Sequence, residues 1–143
     1  MSGDLQARVL YRLPVALRWR DLDAFNHVNN ATFMTYLEEA RIRWLDSLGG
    51  EWMNASVAPL LAAVQMNYRQ PIAYPGEIAV ELTCQRVGNS SLTIGHRIVA
   101  ARDSREAGTD ILHADGHVVM VWIDRGTGRP CSLPAVIRTS VES

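Results

Sequence analysis

A single amphipathic helix among alternating segments constrains this chain most. Between Ala31 and Leu48, the residues Phe33, Met34, Leu37, Ala40, Trp44, Leu45 and Leu48 recur at helical spacing and form one apolar stripe. Glu38 and Arg41, and Glu39 and Arg43, are spaced to pair along that helix. Asn29 is placed to cap its start, with Val28 and Phe33 at the two positions of a hydrophobic staple. Gly49-Gly50 marks its end, since glycine tolerates the left-handed conformation found just past a helix. No other segment reads clearly as a helix. At 1.5 Å per residue it would be about 27 Å long.

Most of the remaining chain alternates. In Glu77–Val87, Ile78, Val80, Leu82 and Cys84 share one face, while Glu81, Thr83 and Gln85 share the other. Gly88-Asn89-Ser90 supplies a turn, and Leu92, Ile94, Ile98 and Ala100 resume the alternation, so a long hairpin is expected. A polar loop containing Gly108 follows. Ile111–Asp124 is apolar on both faces from Val118 to Ile123, as in a strand covered on both sides. Two more strands are expected earlier, over Leu60–Tyr68 and around Val15, Leu17 and Trp19. A strand, a long helix and four further strands make an α+β arrangement, with the helix packed as the core of a curved antiparallel sheet.

Length allows one domain, 1–143, large enough to bury a core without metals or disulfides. Fourteen basic residues against fifteen acidic ones argue against a nucleic-acid partner. Cys84 and Cys131 have no metal-type spacing and suit a reducing compartment. The first residues contain scattered charges and no apolar run, unlike a signal peptide, and no segment approaches a membrane span. A cytoplasmic protein with no membrane partner is therefore expected.

Chemistry concentrates in Arg20-Asp21-Leu22-Asp23-Ala24-Phe25-Asn26-His27-Val28-Asn29-Asn30, between the first strand and the helix. A helix start presents unsatisfied N–H groups and a positive dipole end, which can stabilise an oxyanion on a reacting carbonyl. A neighbouring carboxylate can act as a base towards water or as a nucleophile. Asp and Asn also favour turns and caps for purely local reasons, so the residues alone leave both readings open.

The segment Asp21-Leu22-Asp23-Ala24-Phe25-Asn26-His27-Val28-Asn29-Asn30, with Phe33, Tyr36 and Glu38-Glu39-Ala40-Arg41, resembles the hotdog-fold thioesterases of the 4-hydroxybenzoyl-CoA thioesterase type. Asn67-Tyr68-Arg69-Gln70-Pro71, Arg129-Pro130 and Leu133-Pro134 continue the resemblance over nearly the whole chain. It implies a long helix wrapped by a five- or six-stranded antiparallel sheet, and a homodimer or homotetramer with sites between subunits. It implies hydrolysis of an acyl-CoA thioester, with no metal and no organic cofactor. Asp23 falls at the nucleophile or general base, and Asn30 at the backbone N–H that polarises the thioester carbonyl. His27 would orient Asp23, hold the loop or join the chemistry. Asn29 and Tyr68 are candidate substrate contacts, and Arg69 a contact for a CoA phosphate. Plant acyl-carrier-protein thioesterases share the His-Val-Asn-Asn stretch but have an asparagine where this chain has Phe25. An acyl-carrier-protein thioesterase and a non-catalytic acyl-binding hotdog protein are the alternatives. The hydratase motif of other hotdog proteins is not found. Elsewhere, Arg41 is expected to be structural, reaching Glu38 or the ring of Trp44. His96 is expected to be a satisfied core residue, and His113 with His117 to lack a third metal ligand.

Overall fold

The computed structural model describes residues 8–101 and 111–142. The first seven residues and most of the expected Gly108 loop lie outside them. The elements are β1 (Val9–Ala16), α1 (Asn30–Asp46), β2 (Val57–Tyr68), β3 (Glu77–Val87), β4 (Ser91–Ala100), β5 (Leu112–Asp124) and α2 (Ala135–Glu142), with a 3-10 turn at Trp19–Asp21. The five strands form one antiparallel sheet in the order β1-β3-β4-β5-β2. α1 packs against it, the arrangement of a hotdog fold.

The helix follows from its stripe and its caps. Asn29 Oδ1 accepts from the Ala31 N–H at 2.8 Å, and the staple residues Val28 and Phe33 are both buried. Leu37, Ala40 and Leu45 are fully buried against Ile78, Val80, Leu82, Ile94 and Ile98 from the sheet. Each large apolar side chain so placed contributes about 1.5–3 kcal/mol. At the far end, Ser47 Oγ donates to the Trp44 carbonyl, and Gly49 takes φ +75°. Trp122 of β5 is fully buried, and its indole N–H donates to the Trp52 carbonyl at 2.7 Å, tying the segment after the helix to the sheet.

Two expectations about elements need correcting. The first strand lies over Val9–Ala16, and the alternation at Leu17 and Trp19 does not continue it. The Asp21 carboxylate accepts from the Arg18 N–H at 3.1 Å and bends the chain into the 3-10 turn instead. The short second helix, α2, carries no clear periodic signal. It has two turns and several β-branched residues, and it is held from outside. Its Ile137 is fully buried, and Arg138 donates to the carbonyl of Gly88 at the β3–β4 turn at 2.9 Å.

The two edges of the sheet are unevenly covered. β2 pairs with β5 on one side only and leaves Leu60, Leu61, Val64 and Tyr68 exposed. On β5, Val118, Met120 and Trp122 face the core, while Val119, Val121 and Ile123 on the other face are only half-covered. No helix of the described residues is long and apolar enough to cross a membrane.

Candidate active site

The polar segment ahead of α1 folds into a tight, heavily bonded hairpin. Leu22 bridges to Val28, and His27 to Ala73. The Asp23 N–H donates to the His27 carbonyl at 2.8 Å, and Asn26 turns the chain at φ +65°. A positive φ suits asparagine better than most residues, because its side chain bonds locally. Asp23 Oδ1 accepts from the Phe25 N–H at 2.8 Å and the His27 N–H at 3.3 Å. Asp23 is therefore a turn residue, as its local chemistry allows. Its Oδ2 has no partner among the described residues and remains available.

The start of α1 stands beside this carboxylate. Ala31 N–H is taken by the Asn29 side chain and Thr32 N–H by the Asn29 carbonyl. The Asn30 N–H finds no acceptor among the described residues. Tyr68, at the end of β2, donates its hydroxyl to the Asn30 carbonyl at 3.2 Å and packs edge-on against Phe33, with ring centroids 5.1 Å apart. These contacts fix the helix start relative to the sheet edge. Asp23, His27, Val28, Asn30, Phe33, Tyr68 and Arg69 together line a cavity of about 260 Å³. The cavity has an apolar wall, an unpaired N–H and a carboxylate. That combination can hold an acyl group, polarise its carbonyl and direct an attack upon it.

Other predicted site residues have more specific placements. Asn29 serves as the helix cap. His27 lines the cavity with an exposed ring, and its bonds to Asp23 run through its backbone. Arg69 forms a forked pair with Asp115, its Nη2 at 3.0 Å from Oδ1 and 3.3 Å from Oδ2. Its guanidinium therefore already has a carboxylate partner.

Two buried polar groups are only partly paired among the described residues. Arg41 is buried, and the Glu38 charge acts on it as expected, but its Nη1 has no hydrogen-bond partner among the described residues. His96 is also buried; it bonds to the Gln65 backbone, and its Nε2 has no partner among the described residues, so the core satisfies it in part. Burial first, then the Arg41 charge, pushes the His96 imidazole down to about 4. Among the described residues, no group of three or more His, Cys, Asp or Glu is placed to hold a metal ion.

Sequence reasoning missed one supporting interaction. Asp21 is buried, and its Oδ2 accepts from the Tyr36 hydroxyl at 2.7 Å. Burial, then that bond, pushes the Tyr36 phenol well above its usual range, so it remains a donor. The bond locks the base of the hairpin to the first turns of α1. A tyrosine on the apolar face of a helix near two aspartates was the available signal.

A family model described as the thioesterase-like superfamily matches residues 17–141. The chain belongs to that superfamily. By family it is a thioester hydrolase of the acyl-CoA thioesterase type. Among superfamily relatives, it is 26% identical over 130 residues to the long-chain acyl-CoA thioesterase FadM of Escherichia coli, covering 90% of this chain and 94% of FadM. It is similar to the XC229 protein of Xanthomonas campestris, with 44% identity, a TM-score of 0.75, and coverage of 87% of this chain and 99% of that one. A thioesterase from Thermus thermophilus, solved with coenzyme A and Zn, is 32% identical with a TM-score of 0.76, covering 94% and 92%.

Proposed function

We propose that this chain hydrolyses acyl-CoA thioesters with Asp23 as general base or nucleophile and the Asn30 N–H as the donor to the thioester carbonyl. One observation carries the reading: a free backbone N–H at a helix start and a carboxylate with one unpaired oxygen line the same partly apolar cavity. The developing oxyanion gains a fixed donor at the positive end of α1, which needs no reorganisation during the reaction. Asp23 Oδ1 is anchored by the turn, leaving Oδ2 to take a proton from water or to attack the carbonyl carbon. His27 and Tyr68 shape the cavity on either side, Tyr68 by holding the helix start in place. Arg69 sits at the rim, where a CoA phosphate would compete with Asp115 for it. No metal or organic cofactor takes part in this scheme.

The acting unit in this reading is a homodimer or larger assembly built on the β2 edge. That edge has unpaired backbone groups and exposed Leu60, Leu61 and Val64, and it ends at Tyr68, which lines the cavity. A second copy of β2 would continue the sheet and close the cavity from outside.

Thiol release from a panel of acyl-CoAs tests the reading. FadM acts on long-chain acyl-CoA, so the panel should extend from aromatic and short chains to long ones. Turnover on at least one member is expected. The same chain carried on acyl-carrier protein separates the two carriers. Binding without hydrolysis across the panel would favour a non-catalytic acyl-binding protein.

A further inference from the structure

Asp21 and Tyr36 have no direct part in the chemistry proposed above, yet both are buried beside it. A buried carboxylate is unfavourable unless its oxygens are bonded. Asp21 is bonded mainly through one oxygen. Its Oδ2 accepts the Arg18 N–H at 3.1 Å and the Tyr36 hydroxyl at 2.7 Å, while Oδ1 reaches only the exposed Arg18 guanidinium, at 3.5 Å. The Arg18 bonds are local and shape the 3-10 turn. The Tyr36 bond joins loop to helix.

Both limbs of the polar hairpin meet at Asp21. The outgoing limb runs from it to Asp23. On the returning limb, the Asn29 N–H donates to the Asp21 carbonyl at 3.0 Å, and Asn29 caps the helix directly ahead of the Asn30 N–H. The returning limb is also fastened to the body of the protein, by the Val28 N–H on the Ile72 carbonyl at 2.8 Å and by the bridge from His27 to Ala73. The outgoing limb is not. Its backbone bonds stay within the loop itself, to Arg18, Trp19, His27 and Asn29. Among the described residues, the hydrogen bond from Tyr36 is the one that ties residues 21–23 to the rest of the fold. Tyr36 lies in the second turn of α1, so its hydroxyl fixes the limb carrying the carboxylate to the same helix that aims the N–H.

We propose that Tyr36 is a positioning residue for the hydrolysis: through Asp21 it holds the Asp23 carboxylate in register with the Asn30 N–H. The inference rests on the functional reading above and adds the group that sets the geometry between its base and its donor. The two can act on one carbonyl only when both are correctly placed, and a displacement of about 1 Å can lower the rate roughly 10²-fold. Binding draws on the apolar wall of the cavity, which the hydroxyl does not touch.

Tyr36→Phe keeps the buried ring and deletes the hydroxyl. Well below its melting temperature, kcat on the best acyl-CoA should fall roughly 10- to 100-fold with little change in KM. Asp21→Asn keeps one oxygen for both donors and should retain the turnover that Tyr36→Phe loses. A cycle with Asp23→Asn separates positioning from general weakening. If the hydroxyl acts through the Asp23 carboxylate, adding Tyr36→Phe to Asp23→Asn should lower turnover little further. Asp21→Leu combined with Tyr36→Phe removes both partners and leaves no buried carboxylate unpaired. Its melting temperature should recover relative to Tyr36→Phe, while turnover stays low. Full turnover in a folded Tyr36→Phe protein overturns the inference. So do losses that multiply in full in the Asp23→Asn background, or turnover that returns with the melting temperature in the Asp21→Leu combination. If Tyr36→Phe alone does not fold, that combination decides. Unchanged turnover in Asp23→Asn overturns the functional reading and the inference with it. Reduced turnover there beside full turnover in Tyr36→Phe overturns the inference alone.

Discussion

Asp21 and Asp23 are two residues apart and do different work. Asp23 lines the cavity, with no partner for its Oδ2 among the described residues, whereas Asp21 is buried and bonded to Tyr36. In the proposed mechanism Asp23→Asn retains the turn geometry but loses the basic carboxylate, so kcat on the best acyl-CoA should fall at least about 10²-fold with little change in KM and in thermal melting. Near-normal turnover in a folded Asp23→Asn protein would reduce Asp23 to its turn role. Asp21→Asn should show the converse. Losing a charge-assisted bond in a buried setting should cost about 1–3 kcal/mol, read as a lower melting temperature. His96 supplies a pH dependence. Its folded pKa of about 4 lies below the ordinary histidine value of 6.5, so the unfolded chain binds the extra proton first. The stability is present above about pH 6.5 and is lost as pH falls towards 4. Its full size is roughly 3 kcal/mol, and His96→Leu should flatten that part of a denaturation series run from pH 7 to pH 4.

The elements differ in how far they stand on their own sequence. α1 has its stripe, its cap and its stop written locally, and β3 has a full alternation with a turn after it. β1 and α2 depend on contacts made elsewhere. β1 ends where Asp21 captures the Arg18 N–H, and it tolerates Pro14 because it is an edge strand. α2 rests on one buried isoleucine and on Arg138 reaching the β3–β4 turn. Gly50 lets it come close, since a Cβ there would lie 2.8 Å from the Val136 side chain. Ile137→Ala should therefore destabilise the protein by about 2–5 kcal/mol in chemical denaturation. A cost near zero would mean that α2 is not docked as described.

For the whole molecule, the exposed β2 edge and the half-covered outer face of β5 argue for a partner. Static light scattering at micromolar concentration should give a dimer mass or a multiple of it. Val64→Lys, placing a charge on that edge, should shift the mass towards one chain and lower turnover along with it. A parent protein that runs as a monomer with full turnover would remove the β2 edge from the scheme. The same edge carries Tyr68, so assembly and catalysis should fail together.

The sequence by itself determined the α+β class, the central helix with its cap and the β3–β4 hairpin. These rest on periodicity and capping, which act between residues a few positions apart. It also placed Asp23 on the loop before the helix and Asn30 beside the helix start, and the resemblance implies roles for them. Only the tertiary structure decided what they meet. Tyr68 reaches the Asn30 carbonyl from 38 residues away, Arg69 is paired with Asp115, and Trp19 stands open on a groove that Asp23 shares. Arg41 and His96 fall on apolar faces by spacing, yet their burial, with one nitrogen each unpaired among the described residues, was decided by the packing of helix and sheet. Alternation tells which residues share a face of a strand. Strand order decides which faces are covered and which edge is left open, and pairing between distant segments sets that order.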